Sequence, residues 1–175
     1  MASIRHLETL HLCAEPLGVA HFEEMRRLHQ DLRVMADLSA DGRLLSDEET
    51  RHSLVASEDH WARHGFGLWL FRDRTDGRFV GRGGLKKCLV EGMEAVELAY
   101  AVNRPLMCHG YATEMAALGL EVGFERLGLE EIVGFTLPRN RASRRVMEKV
   151  GMSYERDIVH AGLPHALYRV RRPRR

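Results

Sequence analysis

The segment Met107–Met115, MCHGYATEM, places a cysteine, a histidine and a glycine immediately before a predicted helix. Three interpretations fit this junction. The unpaired N–H groups of a helix N-terminus can bind an anion such as a phosphate. Gly110 can instead be a packing joint between strand and helix. Cys108 can also act as a nucleophile, because a helix N-terminus lowers the pKa of a thiol, but no base at a suitable spacing accompanies it.

Histidines form the second candidate cluster. His60 and His64 stand four residues apart on a predicted helix, so both lie on one face, and Glu58 is nearby. A zinc site needs at least a third convergent ligand, and the spacing supplies none. The sequence therefore predicts a solvated histidine pair and no metal site.

Hydrophobic periodicity predicts the elements that must position these residues. Ser46 and Glu49 have capping-box spacing, and Asn140 and Gly151 fit the two caps of a later helix. RVMADLSADGR is predicted to be a loop. The predicted order of elements is β-α-α-β-β-β-α-β-α-β-β. The last two strands form a hairpin across GLP. In chain order, the segments are SIRHLETLHLCAE, LGVAHFEEMRRLHQ, SDEETRHSLVASEDHWARHG, FGLWLFRD, FVGRGGLKKCLV, MEAVELAYAV, GYATEMAALGLEVGFERLGL, EEIVGFTLP, NRASRRVMEKVG, SYERDIVHAG and HALYRVRR.

This order predicts an α/β (α+β) fold whose mixed sheet carries helices on its faces. A parallel crossover next to antiparallel strands leaves a cleft where strands diverge, and ligands favour such clefts. With 175 residues and 45% hydrophobic content, we expect one domain over residues 1–175.

Charge and cysteine content restrict the function classes. The net charge of +1 gives no overall attraction to nucleic acid or to a membrane. The tail Arg169–Arg175 is a local basic exception, which we interpret as the solvated end of a strand. Three cysteines without paired spacing indicate reduced thiols, and no apolar run approaches the roughly 20 residues that span a bilayer. We therefore expect a cytoplasmic protein.

Two segments together, VELAYAVNRPLMCHGYATEM and NRASRRVMEKVGMSYE, resemble the GNAT superfamily of acyl-CoA-dependent N-acyltransferases. The similarity is greatest to the Rim-type branch, which is named for ribosomal-protein N-terminal acetyltransferases, and the upstream GFGLWLFRDRTDGRFVGRGGL is also similar to it. The resemblance implies a mostly antiparallel central sheet of about seven strands flanked by four helices. It also implies acetyl-CoA as co-substrate and a primary amine as acceptor.

The resemblance assigns roles to individual positions. The backbone of one strand would pair with the pantetheine arm, a loop at the helix N-terminus would wrap the pyrophosphate, and Asn140 would hydrogen-bond the pantetheine. Ser143 would be the proton donor to the departing CoA thiolate. The strand residues are Tyr100, Ala101 and Val102, and the loop residues are Cys108, His109, Gly110, Tyr111, Ala112 and Thr113.

Two positions depart from the family pattern. Met107 and Cys108 stand where the family usually has Gln, Arg or Trp followed by a small residue or glycine. Met147 stands where many members carry a tyrosine general acid. The Rim-type branch shares this second difference, which shifts the acid role to Ser143 or to solvent.

The reaction that the resemblance implies favours some acceptors over others. A lysine-like amine with a pKa of about 10.4 is almost fully protonated at neutral pH, whereas an α-amine with a pKa of about 7.7–8.0 is neutral in roughly 10–15% of molecules. A weak base therefore suits a peptide or protein N-terminus. Glu97 is the candidate base, with Glu94 as the alternative; Glu97 could equally be a surface carboxylate paired with a lysine or arginine.

Several alternatives stay open at this point. The chain could be a non-catalytic acyl-CoA-binding module, or it could acetylate a small amine such as an aminoglycoside or a polyamine. A nucleic-acid or ribosome-surface binder that uses Arg171–Arg175 is less favoured by the charge balance. We expect no membrane partner, and a homodimer is left open.

Overall fold

One eight-stranded sheet organises the chain, in the order β1-β2-β3-β4-β5-β6-β8-β7. The structure is a computed structural model, and it describes residues 4–39 and 41–173. The strands are β1 (Leu7–Glu8), β2 (Leu12–Pro16), β3 (Leu68–Asp73), β4 (Phe79–Val90), β5 (Met93–Val102), β6 (Glu131–Thr136), β7 (Ser153–His160) and β8 (Leu163–Arg171). The helices are α1 (Phe22–His29), α2 (Leu32–Leu38), α3 (Asp47–His64), α4 (Tyr111–Glu121) and α5 (Arg141–Lys149).

The mixed α/β fold with a mostly antiparallel sheet confirms the predicted class, although the numbers of strands and helices differ slightly. The first predicted strand is two strands, because the chain turns between Glu8 and Leu12. The predicted loop RVMADLSADGR contains α2. The missed signal was Asp31, whose Oδ1 accepts hydrogen bonds from the N–H groups of Arg33 at 2.9 Å and Val34 at 3.3 Å and so caps that helix.

Other helix ends follow the predicted caps. Ser46 Oγ accepts from the Glu49 N–H at 3.1 Å, and Glu49 accepts from the Ser46 N–H at 2.8 Å, which is the reciprocal capping box. Asn140 caps α5 through the Ser143 N–H at 3.0 Å. Gly151 has φ of 88°, as a C′ glycine requires.

The β4–β5 hairpin sets the register of the strands beside the candidate site. Its two-residue turn, Glu91–Gly92, has φ values of 50° and 82°, which match a type I′ turn. Lys86 is consequently opposite Glu97, and Arg82 is opposite Ala101. At the closing hairpin the turn lies at Ala161–Gly162, so the predicted GLP connection is placed slightly too late.

Each face of the sheet has its own helices. Trp69 and Phe71 of β3 pack with the α4 cluster, whereas Leu70 between them packs with Met25 and Leu28 of α1. We call these sides the α4 face and the α1 face. Leu98 packs against Met147 and other residues of the α4 face. Alternation along β5 therefore directs Glu97 and Ala99 to the α1 face.

The capping box gives a prediction for stability. Ser46→Ala is expected to lower the free energy of unfolding by about 1 kcal/mol, because it leaves the Glu49 N–H without its side-chain acceptor. Ser53→Ala is the matched control, since Ser53 lies inside α3 and donates only to the Thr50 carbonyl; alanine there should be neutral or slightly stabilising. Urea unfolding of the three proteins measures the difference. Equal midpoints for the two variants would contradict the prediction.

Candidate active site

The candidate site begins where β5 and β6 separate. These parallel strands join at one bridge, Glu97 to Val133, and the described residues form no further ladder beyond it. One edge of Tyr100, Ala101 and Val102 pairs with β4. Their other edge faces the gap, so its backbone groups are available to an extended ligand.

The N-terminus of α4 lies directly after this open edge. Gly110 is the N-cap, has φ of 86°, and provides no side-chain cap to the first N–H groups of the helix. A Cβ built on Gly110 meets nothing within 4 Å, so the space in front of the loop is open. Cys108 also has a positive φ, 65°, and is exposed. The loop thus presents backbone N–H groups at the positive end of a helix dipole.

Side chains of this loop point to other partners. Tyr111 donates from its hydroxyl group to Asp73 at 3.0 Å, so its side chain is anchored to the end of β3. The His109 Nδ1 lies 2.7 Å from the Met107 carbonyl oxygen, so this ring nitrogen already has a hydrogen-bond partner. Ala112 and Thr113 in the first turn of α4 are partly buried. An anion would therefore meet the backbone of this loop.

A hydrogen-bonded bridge links β5 to α5 across the gap. The Tyr100 hydroxyl donates to the Ser143 carbonyl oxygen at 2.9 Å and lies 3.1 Å from Ser143 Oγ. Burial raises the pKa of Tyr100 to about 12, so its hydroxyl group stays protonated at neutral pH. Since that proton points to the carbonyl, the Ser143 hydrogen is free to point to the Tyr100 oxygen or into the gap.

Glu97 is the buried carboxylate of the site. It is 7% exposed and lies at the bridge where the strands begin to diverge. Lys86 Nζ lies 3.1 Å from Glu97 Oε2, but among the described residues this oxygen has no partner with acceptable hydrogen-bond geometry. Glu94, the alternative base, is exposed. Glu97 is therefore paired with a lysine and can also accept a hydrogen bond from a ligand.

Other candidates from the sequence have structural partners. His60 uses Nδ1 toward the Phe66 carbonyl oxygen at 2.8 Å and accepts the Lys87 N–H on Nε2 at 3.0 Å, so it is hydrogen-bonded at both nitrogens. Within residues 4–39 and 41–173, no three potential ligands converge as a metal site. Trp61 and Trp69 are 4% and 0% exposed, so both belong to the core.

The basic tail is partly neutralised. Arg169 in β8 forms ion pairs with Glu131 and Glu155, and Arg171 lies 3.5 Å from Glu131. Arg174 and Arg175 lie outside the described residues. Arg169 and Arg171 therefore lie in a strand and contact carboxylates.

Comparison with known proteins establishes the family to which this chain belongs. Residues 11–153 match the model of the acetyltransferase (GNAT) domain. The chain is 31% identical over 154 residues to the FsC-acetyl coenzyme A-N(2)-transacetylase of Aspergillus fumigatus, which covers 85% of this chain and 65% of that protein. The chain therefore belongs to the GNAT acetyltransferase family and is an acetyl-CoA-dependent N-acetyltransferase.

Solved structures show the same fold. An acetyltransferase from Agrobacterium tumefaciens matches with a TM-score of 0.80 and 24% identity, over 98% of this chain and 97% of that one. A RimL ribosomal-protein acetyltransferase in complex with coenzyme A matches with a TM-score of 0.74 and 16% identity, over 93% and 95% of the two chains. The Rim-type proteins are thus structural neighbours of this chain. No helix in the described ranges is long and apolar enough to cross a membrane.

The structure places most of the predicted site residues around the gap between β5 and β6. Two further charged residues near Glu97, Lys86 and Arg82, were not predicted from the sequence. Lys86 was not predicted beside Glu97, although the tight Glu91–Gly92 turn could have given that register. Arg82 was not singled out either, and its position under the helices of the α1 face had no local sequence signal.

Proposed function

We propose that this enzyme acetylates the α-amine of a peptide or protein N-terminus by direct attack within a ternary complex. The observation that carries this proposal is the buried Glu97 at the bridge where β5 and β6 diverge, on the same strand edge that leads to the N-terminus of α4. A ligand extended along that edge would have its reactive end beside Glu97.

The residues of the gap fit acetyl-CoA. The free edge of Tyr100, Ala101 and Val102 suits an extended pantetheine arm, and the Cys108–Thr113 backbone suits a pyrophosphate because Gly110 leaves open space in front of it. The Asn140 side-chain oxygen accepts from the Ser143 N–H, which leaves its amide NH₂ group to donate to the pantetheine. When bound, acetyl-CoA supplies the activated acetyl group.

Glu97 would take the proton from the acceptor amine. Its burial keeps the carboxylate away from bulk water, and Lys86 Nζ lies 3.1 Å from its Oε2. An α-amine with a pKa of about 7.7–8.0 is neutral often enough at pH 7 for this weak base to suffice. A lysine side chain would need a much larger shift of its pKa, and this favours an α-amine.

Ser143 would donate a proton to the leaving thiolate. The hydroxyl group of Tyr100 holds Ser143 by two contacts, and its own proton points to the Ser143 carbonyl oxygen. Tyr100 would thus orient Ser143, whose proton is free to move into the gap. Met147, at the usual position of the family's tyrosine acid, is 2% exposed in the core and cannot take this role.

Ser143→Ala is expected to lower kcat about tenfold with a nearly unchanged KM for acetyl-CoA. The expected effect is smaller than the usual 10²–10⁴ of acid–base catalysis because a thiol with a pKa of about 8.5 is already a fair leaving group. Ser153→Ala, at the exposed start of β7, is the matched control and should behave as wild type. A steady-state assay that follows free thiol checks both, and an unchanged kcat in Ser143→Ala would exclude the acid role.

The test of the proposed function has two parts. Thermal unfolding is followed with acetyl-CoA, CoA, NAD and ATP; a ligand at 100 times its Kd adds about 2.7 kcal/mol to the stability of the folded state. Acetylation is then measured on peptides with free N-termini, on the same peptides with blocked N-termini and an internal lysine, on an aminoglycoside and on spermidine. Faster transfer to the aminoglycoside or to spermidine than to every peptide would overturn the α-amine proposal.

A non-catalytic acyl-CoA-binding module is the second candidate, and the missing tyrosine at Met147 is the observation in its favour. It predicts the CoA-dependent thermal shift without turnover on any amine. A cytoplasmic location remains a prediction from the three cysteines, and the homodimer also stays a prediction.

A further inference from the structure

Arg82 is a charged residue in the middle of the sheet that the proposed mechanism does not use. It lies on β4 between Leu70 of β3 and Ala101 of β5. Both neighbours belong to the cluster of the α1 face, which also contains Leu28 and Val34. The Arg82 side chain therefore projects beneath α1 and α2, on the same face as Glu97.

The guanidinium group of Arg82 has no partner in the described part of the chain: no hydrogen bond or ion pair joins it to residues 4–39 or 41–173. Desolvation lowers the pKa of Arg82, and Glu97 is the carboxylate whose charge opposes this shift. A charged group that is only partly exposed and has no hydrogen-bond partner loses some of its hydration, so Arg82 is available to pair with an anionic ligand.

The charges around Arg82 do not balance. Glu97 already contacts Lys86 at 3.1 Å and forms no ion pair with Arg82, so one carboxylate faces two cations. His29 of α1, which also faces Arg82, contributes no charge at neutral pH, because burial and the neighbouring Arg82 lower its pKa to about 4. The His29 Nδ1 lies 3.0 Å from Thr50 Oγ1. Around Glu97 and Arg82 the two cations therefore exceed the one carboxylate by a unit charge, which favours an anionic ligand there.

Two small residues lie on the sheet between Arg82 and Glu97. Arg82 is only partly exposed, and the packing around it desolvates its guanidinium group. Gly84 and Ala99 lie opposite each other between these two residues. Gly84 is buried, but Ala99 has no bulky side chain and stays partly exposed although it lies in a central strand, so the α1-face helices do not fully cover this part of the sheet.

We propose that Arg82 binds a carboxylate of the acceptor, and that the preferred acceptors carry this carboxylate a few bonds from the reacting amine. The inference rests on the proposed function, because Glu97 has to receive the amine at the other end of this part of the sheet. An arginine suits this role, since its planar guanidinium group pairs with a carboxylate through two parallel hydrogen bonds. The carboxylate can be that of a free amino acid or that of an acidic residue next to a peptide N-terminus.

Two matched pairs of acceptors test the proposal and distinguish these sources. The dipeptide amides Ser-Asp-NH₂ and Ser-Asn-NH₂ differ in a side-chain charge, and alanine and alaninamide differ in the terminal carboxylate. In at least one pair, the charged member should have a kcat/KM at least tenfold higher, as expected for a charged hydrogen bond worth about 1.5–3 kcal/mol. Ratios near one in both pairs would overturn the proposal.

Arg82→Gln should reduce that ratio to within about twofold of one while turnover of the neutral acceptor is retained. The matched control is Arg63→Gln on the exposed surface of α3, which should keep the wild-type ratio. Arg82→Gln also removes an unpaired desolvated charge, so it should fold and unfold at the same or a higher temperature than wild type. If Arg82→Gln instead weakens acetyl-CoA binding and slows both acceptors equally, Arg82 serves the co-substrate and the proposal is wrong.

A thermal-shift measurement of the same acceptors without acetyl-CoA tests the role of Arg82 independently of the proposed acetyl transfer. A carboxylate-dependent shift that disappears in Arg82→Gln supports the anion site even if no amine is acetylated, which would be a failure of the proposed function. Turnover of peptides without any dependence on the carboxylate would leave the proposed function intact and overturn the role of Arg82.

Discussion

Glu97→Gln is expected to lower kcat/KM for acetyl transfer by about 10²–10⁴, the range over which a positioned general base usually contributes. Glutamine keeps the size and the burial of the side chain but cannot take a proton from the amine. The loss should be largest near pH 7 and smaller near pH 9, where an α-amine is mostly neutral without help. Initial rates from pH 6 to pH 9.5 measure both effects.

Glu94→Gln is the matched control for this experiment. Glu94 lies on the same strand, and it is exposed. It should retain wild-type rates, and both variants should bind acetyl-CoA as wild type does. A wild-type pH profile in Glu97→Gln would exclude Glu97 as the base, and a large defect in Glu94→Gln would move the role to that residue.

Gly110→Asp is expected to weaken acetyl-CoA binding at least 100-fold. Aspartate is among the non-glycine residues that tolerate a positive φ, and a Cβ at this position meets nothing within 4 Å, so the chain should still fold. The new carboxylate would point into the space where the pyrophosphate is proposed to lie. Two unit charges about 5 Å apart repel by roughly 3 kcal/mol at an effective dielectric constant of 20. Isothermal titration with acetyl-CoA measures the change.

Two further variants separate charge from backbone strain. Gly110→Asn has the same shape without the charge, so it should weaken binding less than about tenfold. Gly128→Asp introduces the same residue at another exposed glycine with φ of 67° and open space, away from α4's N-terminus, and should leave binding unchanged. Equal losses in Gly110→Asp and Gly110→Asn would mean that the loop shape, rather than an anion in front of it, explains the effect.

The predictions from the sequence were most accurate where the signal is local. The capping box at Ser46, the N-cap at Asn140 and the αL glycine at Gly151 each depend on hydrogen bonds within a few residues, so their spacing is visible in the chain. The helix α2 was missed because its cap, Asp31, stood in a segment that also carried the turn signal ADGR. The family, the co-substrate and the mixed sheet followed from motifs that occupy most of the chain.

The tertiary structure decided how the distant segments meet. The divergence of β5 from β6 after Glu97 depends on a parallel pairing across the α4 crossover, and no local pattern encodes where that pairing stops. The contact of Tyr100 with Ser143 joins residues 43 positions apart. Arg82 has no hydrogen-bond partner among the described residues because of how α1, α2 and the neighbouring strands pack around it. The sequence by itself thus determined the elements and the reaction class through short-range and motif signals, whereas long-range packing decided the burial and charge balance of the site.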